Sequence, residues 1–175
     1  MNIRKAVESD LGKIKAIYAD AREFMRASGN PFQWGDSYPP TEQSERDVKE
    51  GKLYVAEDGG ELLAAFYFSV ECDPTYAEIK EGGWLNDEPY AVIHRIALAS
   101  RARGRGVARS CFEFCLEQYP NVRIDTHRDN IPMRRALEKN GFVYCGIISI
   151  ERSSCPEDDG KRVAYQCVKG EKSKQ

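Results

Sequence analysis

The sequence holds few of the residues and patterns that build a metal centre, a membrane anchor or an export signal. It contains two histidines, and its six cysteines form no Cys-x-x-Cys pair. A zinc site needs about four clustered thiolate or imidazole ligands, so we predict no metal. The longest apolar run, residues 62–68, is far shorter than the ~18–20 residues of a membrane helix. No apolar signal core follows the first residues.

The charges of the sequence are balanced. Lys and Arg number 26 and Asp and Glu 28, which gives a net charge of −2 and excludes a uniformly basic surface that coats nucleic acid. We therefore expect a cytoplasmic protein without a nucleic-acid or membrane partner. In that reducing compartment the cysteines are free thiols. Cys111 and Cys115, four residues apart on one helix face, are expected in the core.

The chain length of 175 residues fits one domain, which we assign to residues 1–168, with a flexible tail at 169–175. Hydrophobic periodicity and turn residues predict the order β-α-α-β-β-β-α-β-α-β-β. Strands are predicted at 3–6, 53–57, 62–70, 90–98, 122–126, 142–151 and 162–168, and helices at 11–25, 41–50, 104–118 and 131–140. This order indicates an α+β (α/β mixed sheet) fold with helices on its faces. The strand–helix–strand unit at 90–126 should pair its strands in parallel.

The most informative stretch is residues 94–108, where a hydrophobic strand runs through a glycine-containing turn into a helix. Main-chain N–H groups at a helix start form an anion cradle that the helix dipole reinforces. Four arginines crowd the turn: Arg101, Arg103, Arg105 and Arg109. We predict a phosphorylated ligand here, the alternative being a glycine turn with solvated arginines. The stretch is neither a Walker loop nor a Rossmann fingerprint, since Arg109 stands where the third glycine would be.

Two motifs resemble the GNAT superfamily of acyl-CoA-dependent N-acetyltransferases. Arg103-x-x-Gly106-x-Ala108 is similar to the family signature Arg/Gln-x-x-Gly-x-Gly/Ala. Residues 130–142, which begin with Asn130 and end with Gly141-Phe142, are similar to the family's Asn-containing helix. The resemblance covers about residues 1–168. It implies a GNAT-like fold and direct transfer of an acetyl group from acetyl-CoA to a primary amine in a ternary complex.

The resemblance also implies where the cofactor binds. Main-chain groups of Ile96 and Leu98 would bind the pantetheine arm like an added strand, and the Leu98 amide would stabilise the oxyanion. Amides from residues 103–108 would hold the pyrophosphate. Asn130 either contacts the pantetheine arm or serves as a helix N-cap. The implied cofactor-binding residues are Ile96, Ala97, Leu98, Arg103, Gly104, Arg105, Gly106, Val107, Ala108, Asn130 and Met133.

A general base is required because an alkylammonium must lose a proton before it attacks. His94 is the first candidate, since an imidazole titrates near neutrality and strand alternation places it with Ile96 and Leu98. The alternative is that His94 packs in the core beside Arg95. His127 is the second candidate and Glu71 the third.

The general acid is the point where the sequence departs from the family pattern. Many members carry a tyrosine where Leu137 stands, and leucine has no proton to give. A thiol leaves readily as its anion, so the reaction can proceed without an acid. A non-catalytic acyl-CoA-binding sensor or regulatory module is the alternative function.

The acceptor is predicted as a small-molecule or peptide amine. Trp34 and Tyr38 lie in the loop where the family often builds its acceptor pocket, and aromatic rings suit a cation. Packing in the core or a lid is the alternative for both. The acidic segment 78–88 would attract a polyamine, although such loops are usually just solvated. A homodimer is common in the family and is possible here.

Overall fold

Seven strands and four α-helices make up the part of the chain that the computed structural model describes, residues 1–150 and 155–170. Strands β1–β7 span Asn2–Lys5, Leu53–Asp58, Glu61–Val70, Ala91–Leu98, Asn121–Thr126, Val143–Ser149 and Lys161–Val168. Helices α1–α4 span Leu11–Ala27, Thr41–Lys49, Val107–Gln118 and Ile131–Lys139. The predicted α+β class and element order are confirmed. Residue 151 of the predicted sixth strand and residues 171–175 of the predicted tail lie outside the described residues.

Helix α3 begins three residues later than predicted. Gly104 and Gly106 have φ values of +74° and +79°, a conformation that glycine adopts without steric cost. The two glycines therefore form the turn before the helix and do not belong to its first turn.

The strands form one sheet in the order β1-β2-β3-β4-β5-β7-β6. Neighbouring strands are antiparallel except β4 and β5, which are parallel as predicted. Their ladder joins Ala91–Ile93 to Val122–Ile124 and extends no further. Beyond it the two strands part in the middle of the sheet.

The helices cover the two faces of the sheet. Phe114 of α3 packs against the rings of Tyr54 and Phe66 on one face. Helices α1 and α2 lie on the other face, where Asp47 of α2 forms an ion pair with Arg95. Among residues 1–150 and 155–170, no helix is long and apolar enough to cross a bilayer.

The two cysteines of α3 lie in the core, as predicted. Cys111 and Cys115 belong to the main cluster of buried apolar side chains. Burial raises the pKa of the Cys111 thiol to about 12, so this side chain stays protonated and packs as a small apolar group.

Residues 72–90, here called the strap, are fixed across the sheet. The guanidinium of Arg123 lies between the rings of Trp84 and Tyr90, 4.2 and 3.9 Å from their centroids. It also donates a hydrogen bond of 2.8 Å to the Asn86 carbonyl oxygen. The predicted solvation of acidic segment 78–88 holds for its carboxylate side chains, which are exposed. The strap backbone, in contrast, is bound to the sheet through such contacts.

The strap packs tightly against the sheet at Gly82, and this packing gives a stability prediction. A Cβ atom at Gly82 would overlap the carbonyl oxygen of Cys145, whereas one at Gly83 would meet no atom within 4 Å. We expect Gly82→Ala to lower the free energy of unfolding by about 1–3 kcal/mol. Gly83→Ala is the matched control, expected within about 0.5 kcal/mol of wild type. Denaturant unfolding measures both, and equal effects would contradict the close packing of the strap.

Candidate active site

A cleft opens where β4 and β5 part. It has a volume of about 990 Å³ and is lined by residues of α1, α2, α4, the loop after α1, the strap and strands β3–β7. Among the residues predicted from the sequence, seven line it: Trp34, Tyr38, Glu71, His94, Ile96, Asn130 and Met133. We call this cavity the β4/β5 cleft.

Strand β4 exposes its main-chain groups to this gap. The amide of Ala99 donates to the Leu63 carbonyl oxygen at 2.9 Å, on the β3 side. Neighbouring residues of a strand direct their main-chain groups to opposite edges. The amide of Leu98 is therefore directed to the edge that β5 leaves open.

A β-bulge at Arg95 interrupts β4. Ala97 pairs with Ala65 of β3 and His94 pairs with Tyr67, so three steps along β4 match two along β3. Arg95 has a φ of +52°, an uncommon value for a residue other than glycine. Bulges of this kind re-aim side chains beside functional sites.

The bulge corrects the predicted orientation of His94 and Arg95. Alternation placed His94 on the face of Leu98, with Arg95 on the opposite face; this prediction was wrong, because the extra residue reverses the alternation. Arg95 lies on the same face as His94, with its guanidinium 4.8 Å from the Tyr67 ring centroid and 2.8 Å from the Asp47 carboxylate.

His94 is bound to a carboxylate of the strap. Its Nε2 lies 2.8 Å from Oδ2 of Asp73, while the main chain and hydroxyl of Thr75 donate to the other oxygen. The rings of Tyr67 and Tyr76 flank the imidazole at 5.8 and 5.9 Å. The His94 side chain is 20% exposed and lines the cleft, so it is accessible to a ligand there.

The strap thus brings Asp73 into the site, which the sequence did not indicate. Burial opposes ionisation of this carboxyl, but the hydrogen bonds from His94 and Thr75 outweigh it and lower the pKa of Asp73 to about 2. Asp73 is therefore ionised at neutral pH and accepts a hydrogen bond from the Nε2–H group of His94. That hydrogen bond fixes the ring and leaves Nδ1 as the nitrogen free to accept a proton.

Asp73 gives a pH-dependent stability prediction. An unfolded Asp has a pKa of about 3.9, and the folded value is about 2. The unfolded state binds more protons between these values, so the stabilisation is complete above about pH 4 and is lost as the pH falls through 2.

We expect Asp73→Asn to remove this pH dependence, which amounts to about 2 kcal/mol. Denaturant unfolding across the acid range measures it. Asp36→Asn is the matched control, because the Asp36 side chain is 92% exposed and surface ion pairs contribute little. Parallel plots of unfolding free energy against pH for wild type and Asp73→Asn would contradict the pairing of Asp73 with His94.

The other two candidate bases differ in their surroundings. Glu71 accepts hydrogen bonds from Lys52 at 3.0 Å and from Tyr67 at 2.8 Å. Burial favours the neutral carboxyl, but these donors outweigh burial and lower the pKa of Glu71. Glu71 is therefore a weaker proton acceptor. His127 is buried, does not line the cleft, and has its pKa lowered by burial and by Arg162.

The turn before α3 presents main-chain amides to open space. Helix α3 has no side-chain N-cap, so its first amides are available to an anion. Cβ atoms placed on Gly104 or Gly106 would meet nothing within 4 Å. The space beside both Cα atoms is therefore open.

The arginines of the turn are engaged mainly within the protein. Arg101 pairs with Glu61 and Arg109 with Glu113, while Arg103 donates to the main chain of Asp20 and Leu98. Arg105 forms no ion pair within the described part of the chain. The groups of this turn that remain open to a ligand are thus principally main-chain amides.

Asn130 is the N-cap of α4, as one of the two interpretations predicted. Its Oδ1 accepts from the Met133 amide at 3.3 Å, and its Nδ2 donates to Gln33 Oε1 at 3.0 Å. Gln33 also contacts Thr126 of β5 at 3.4 Å and ties the loop after α1 to the cleft. No local pattern marks Gln33 in the sequence.

The predicted acceptor aromatics form part of the cleft wall. Trp34 is buried and packs edge-on against Tyr18 and Tyr38, with centroid distances of 5.7 and 6.0 Å. Trp34 thus packs in the core, as one interpretation predicted, and it also lines the cleft, while binding of the acceptor stays a prediction. Leu137, at the usual tyrosine position, is fully buried and offers no proton.

These features belong to a known class of enzyme. Residues 14–142 match the model of the acetyltransferase (GNAT) family, so the chain belongs to this family and is an acyltransferase. It is similar to a GNAT-family acetyltransferase from Streptococcus agalactiae 2603, with a TM-score of 0.86, 31% identity and coverage of 97% of this chain and 96% of that one.

Two further relatives are more distant. Streptothricin acetyltransferase from Escherichia coli is 26% identical over 119 residues, 65% of this chain and 67% of the relative. The GNAT-like decarboxylase GphF, solved in complex with isobutyryl-CoA, shares the fold with a TM-score of 0.70 at 16% identity, over 96% of this chain and 99% of that one. The family assignment favours an enzyme over the non-catalytic sensor considered above.

Proposed function

We propose that this chain transfers the acetyl group of acetyl-CoA to a primary amine by direct attack in a ternary complex. The observation that carries the proposal is the β4/β5 cleft. An unpaired main-chain edge borders it, and an oriented imidazole faces it. The isobutyryl-CoA complex of GphF supports an acyl-CoA ligand for this fold.

The cofactor is held mainly by main-chain groups in this proposal. Ile96, Ala97 and Leu98 bind the pantetheine arm along the edge that β5 leaves open. The amides of residues 103–108 hold the pyrophosphate at the start of α3. The Leu98 amide, directed to the same open edge, donates to the carbonyl oxygen as it gains negative charge.

His94 acts as the general base. Because Nε2 is bound to Asp73, the neutral ring presents Nδ1 to a proton of the acceptor. Asp73 is a positioning residue that fixes the tautomer. The thiolate leaves without a protein acid at Leu137, since thiols are far stronger acids than alcohols.

The acceptor is a small-molecule or peptide amine. Streptothricin acetyltransferase, to which the chain is similar, is named for a small molecule. Trp34 and Tyr38 contribute the aromatic wall on the acceptor side of the cleft.

The test is thiol release from acetyl-CoA across small amines, polyamines, aminoglycosides, amino acids and peptide N-termini. We expect saturable release with at least one class, together with acetyl-CoA binding by calorimetry. Binding without turnover on the whole panel would support the sensor instead. Absence of acetyl-CoA binding would overturn both.

A further inference from the structure

Asp125, the penultimate residue of β5, is a carboxylate without a cationic side chain bound to it. Its Oδ1 accepts a hydrogen bond of 2.7 Å from the Tyr76 hydroxyl and lies 3.7 Å from His94 Nδ1, beyond hydrogen-bond distance. The side chain is 15% exposed and lines the β4/β5 cleft. No Lys or Arg pairs with it in residues 1–150 and 155–170.

The other carboxylates that line the cleft each bind a Lys or Arg, except Asp73, which accepts hydrogen bonds from both His94 and Thr75. Asp47 binds Arg95, Glu71 binds Lys52, Asp73 binds His94 and Glu78 binds Lys80. Asp125 therefore differs from the other carboxylates that line the cleft. A largely buried carboxylate with one neutral donor is stabilised by a cation that reaches it from the cleft.

We propose that Asp125 binds the acceptor as its ammonium ion, between its own carboxylate and Nδ1 of His94. Two atoms 3.7 Å apart leave room for one nitrogen at about 2.8 Å from each. The proposal rests on the function proposed above and narrows the acceptor to aliphatic amines that are protonated at neutral pH.

The surroundings of His94 fit a cation at this position. The groups that face it are Asp73 from the strap, Asp125 from β5, and the rings of Tyr67 and Tyr76. Aromatic rings attract ammonium ions. Burial and Asp125 raise the pKa of Tyr76 well above its usual value, so its hydroxyl keeps its proton and orients the carboxylate.

The protons balance in two steps. The bound ammonium first gives one proton to His94 Nδ1, and the freed nitrogen lone pair attacks the thioester carbonyl carbon. As the tetrahedral adduct collapses, the C–S bond breaks and the thiolate leaves. The nitrogen then gives its second proton to the thiolate, which yields the amide and free thiol, and His94 releases the first proton to solvent. Asp125 takes no part in these proton transfers and is a binding residue.

The test uses butylammonium chloride as the probe and 1-butanol as its neutral counterpart. The chain has two histidines, so the His94 ring signals can be assigned and followed by NMR, with and without CoA. We expect saturable shifts with butylammonium and none with butanol. Asp125→Asn should weaken the apparent affinity by about 10- to 100-fold.

Asp129→Asn is the matched control. Asp129 also lies near an imidazole, with its Oδ2 3.6 Å from His127 Nδ1, but it does not line the cleft. We expect the Asp129→Asn variant to bind butylammonium with the affinity of the wild type. Equal affinity in Asp125→Asn, or no saturable shift in the wild type, would overturn the inference. Acetyl-CoA binding and thiol release test the proposed function separately, so the two failures are distinguishable.

Discussion

Gly106→Glu is expected to abolish acetyl-CoA binding, with a loss of about 100-fold or more, because its carboxylate would stand where the proposed pyrophosphate meets the amides of α3. The protein itself has room for the new side chain, since a Cβ at Gly106 meets nothing within 4 Å. Calorimetric titration with acetyl-CoA measures the effect. The loss would therefore arise at the ligand and not from a clash within the fold.

Gly106→Gln is the matched control for this variant. Both substitutions carry the same backbone strain, because Gly106 has a φ of +79°, and they have nearly the same size. We expect Gln to retain more affinity than Glu, and thermal unfolding of the two to be similar. Wild-type affinity in Gly106→Glu would show that the pyrophosphate lies elsewhere.

His94→Ala is expected to lower kcat by about 100- to 10,000-fold, the usual contribution of a general base. The rate of wild type should fall at acidic pH, where an imidazole is protonated. In the variant this acid limb should flatten, because no imidazole remains to titrate at the acceptor. Steady-state kinetics across pH measures both effects.

Acetyl-CoA affinity is the internal control for His94→Ala. The proposed cofactor contacts of β4 are made by main-chain groups, so the affinity should stay within about twofold of wild type. An unchanged kcat and pH profile would exclude His94 as the base. Loss of the acid limb in His127→Gln instead would assign that role to His127.

The sequence predicted the architecture well because its signals are local. Alternating apolar residues and turn residues each determine a short segment by their own conformational preferences. The turn at Gly104 and Gly106, with open space beside both residues, follows from the same kind of signal. These features depend on neighbouring residues along the chain.

The parts that escaped prediction depend on contacts between distant residues. No local pattern gives Arg95 a positive φ; the bulge arises in the pairing of β4 with β3. Asp73 reaches His94 because the strap is held by Arg123, a residue of another strand. The acidic composition of the strap suggested a solvated loop. Composition does not show that Arg123 holds the strap backbone against the sheet.

The short β4/β5 ladder has a mechanical consequence. Three residue pairs join the β1–β4 half of the sheet to the β5–β7 half. The strap crosses this seam. Arg123 of the second half contacts Tyr90 of the strap, while Asp73 of the strap is hydrogen-bonded to His94 of the first half. The contacts of Arg123 with Trp84 and Tyr90 therefore add side-chain links across the seam to the three residue pairs of the ladder.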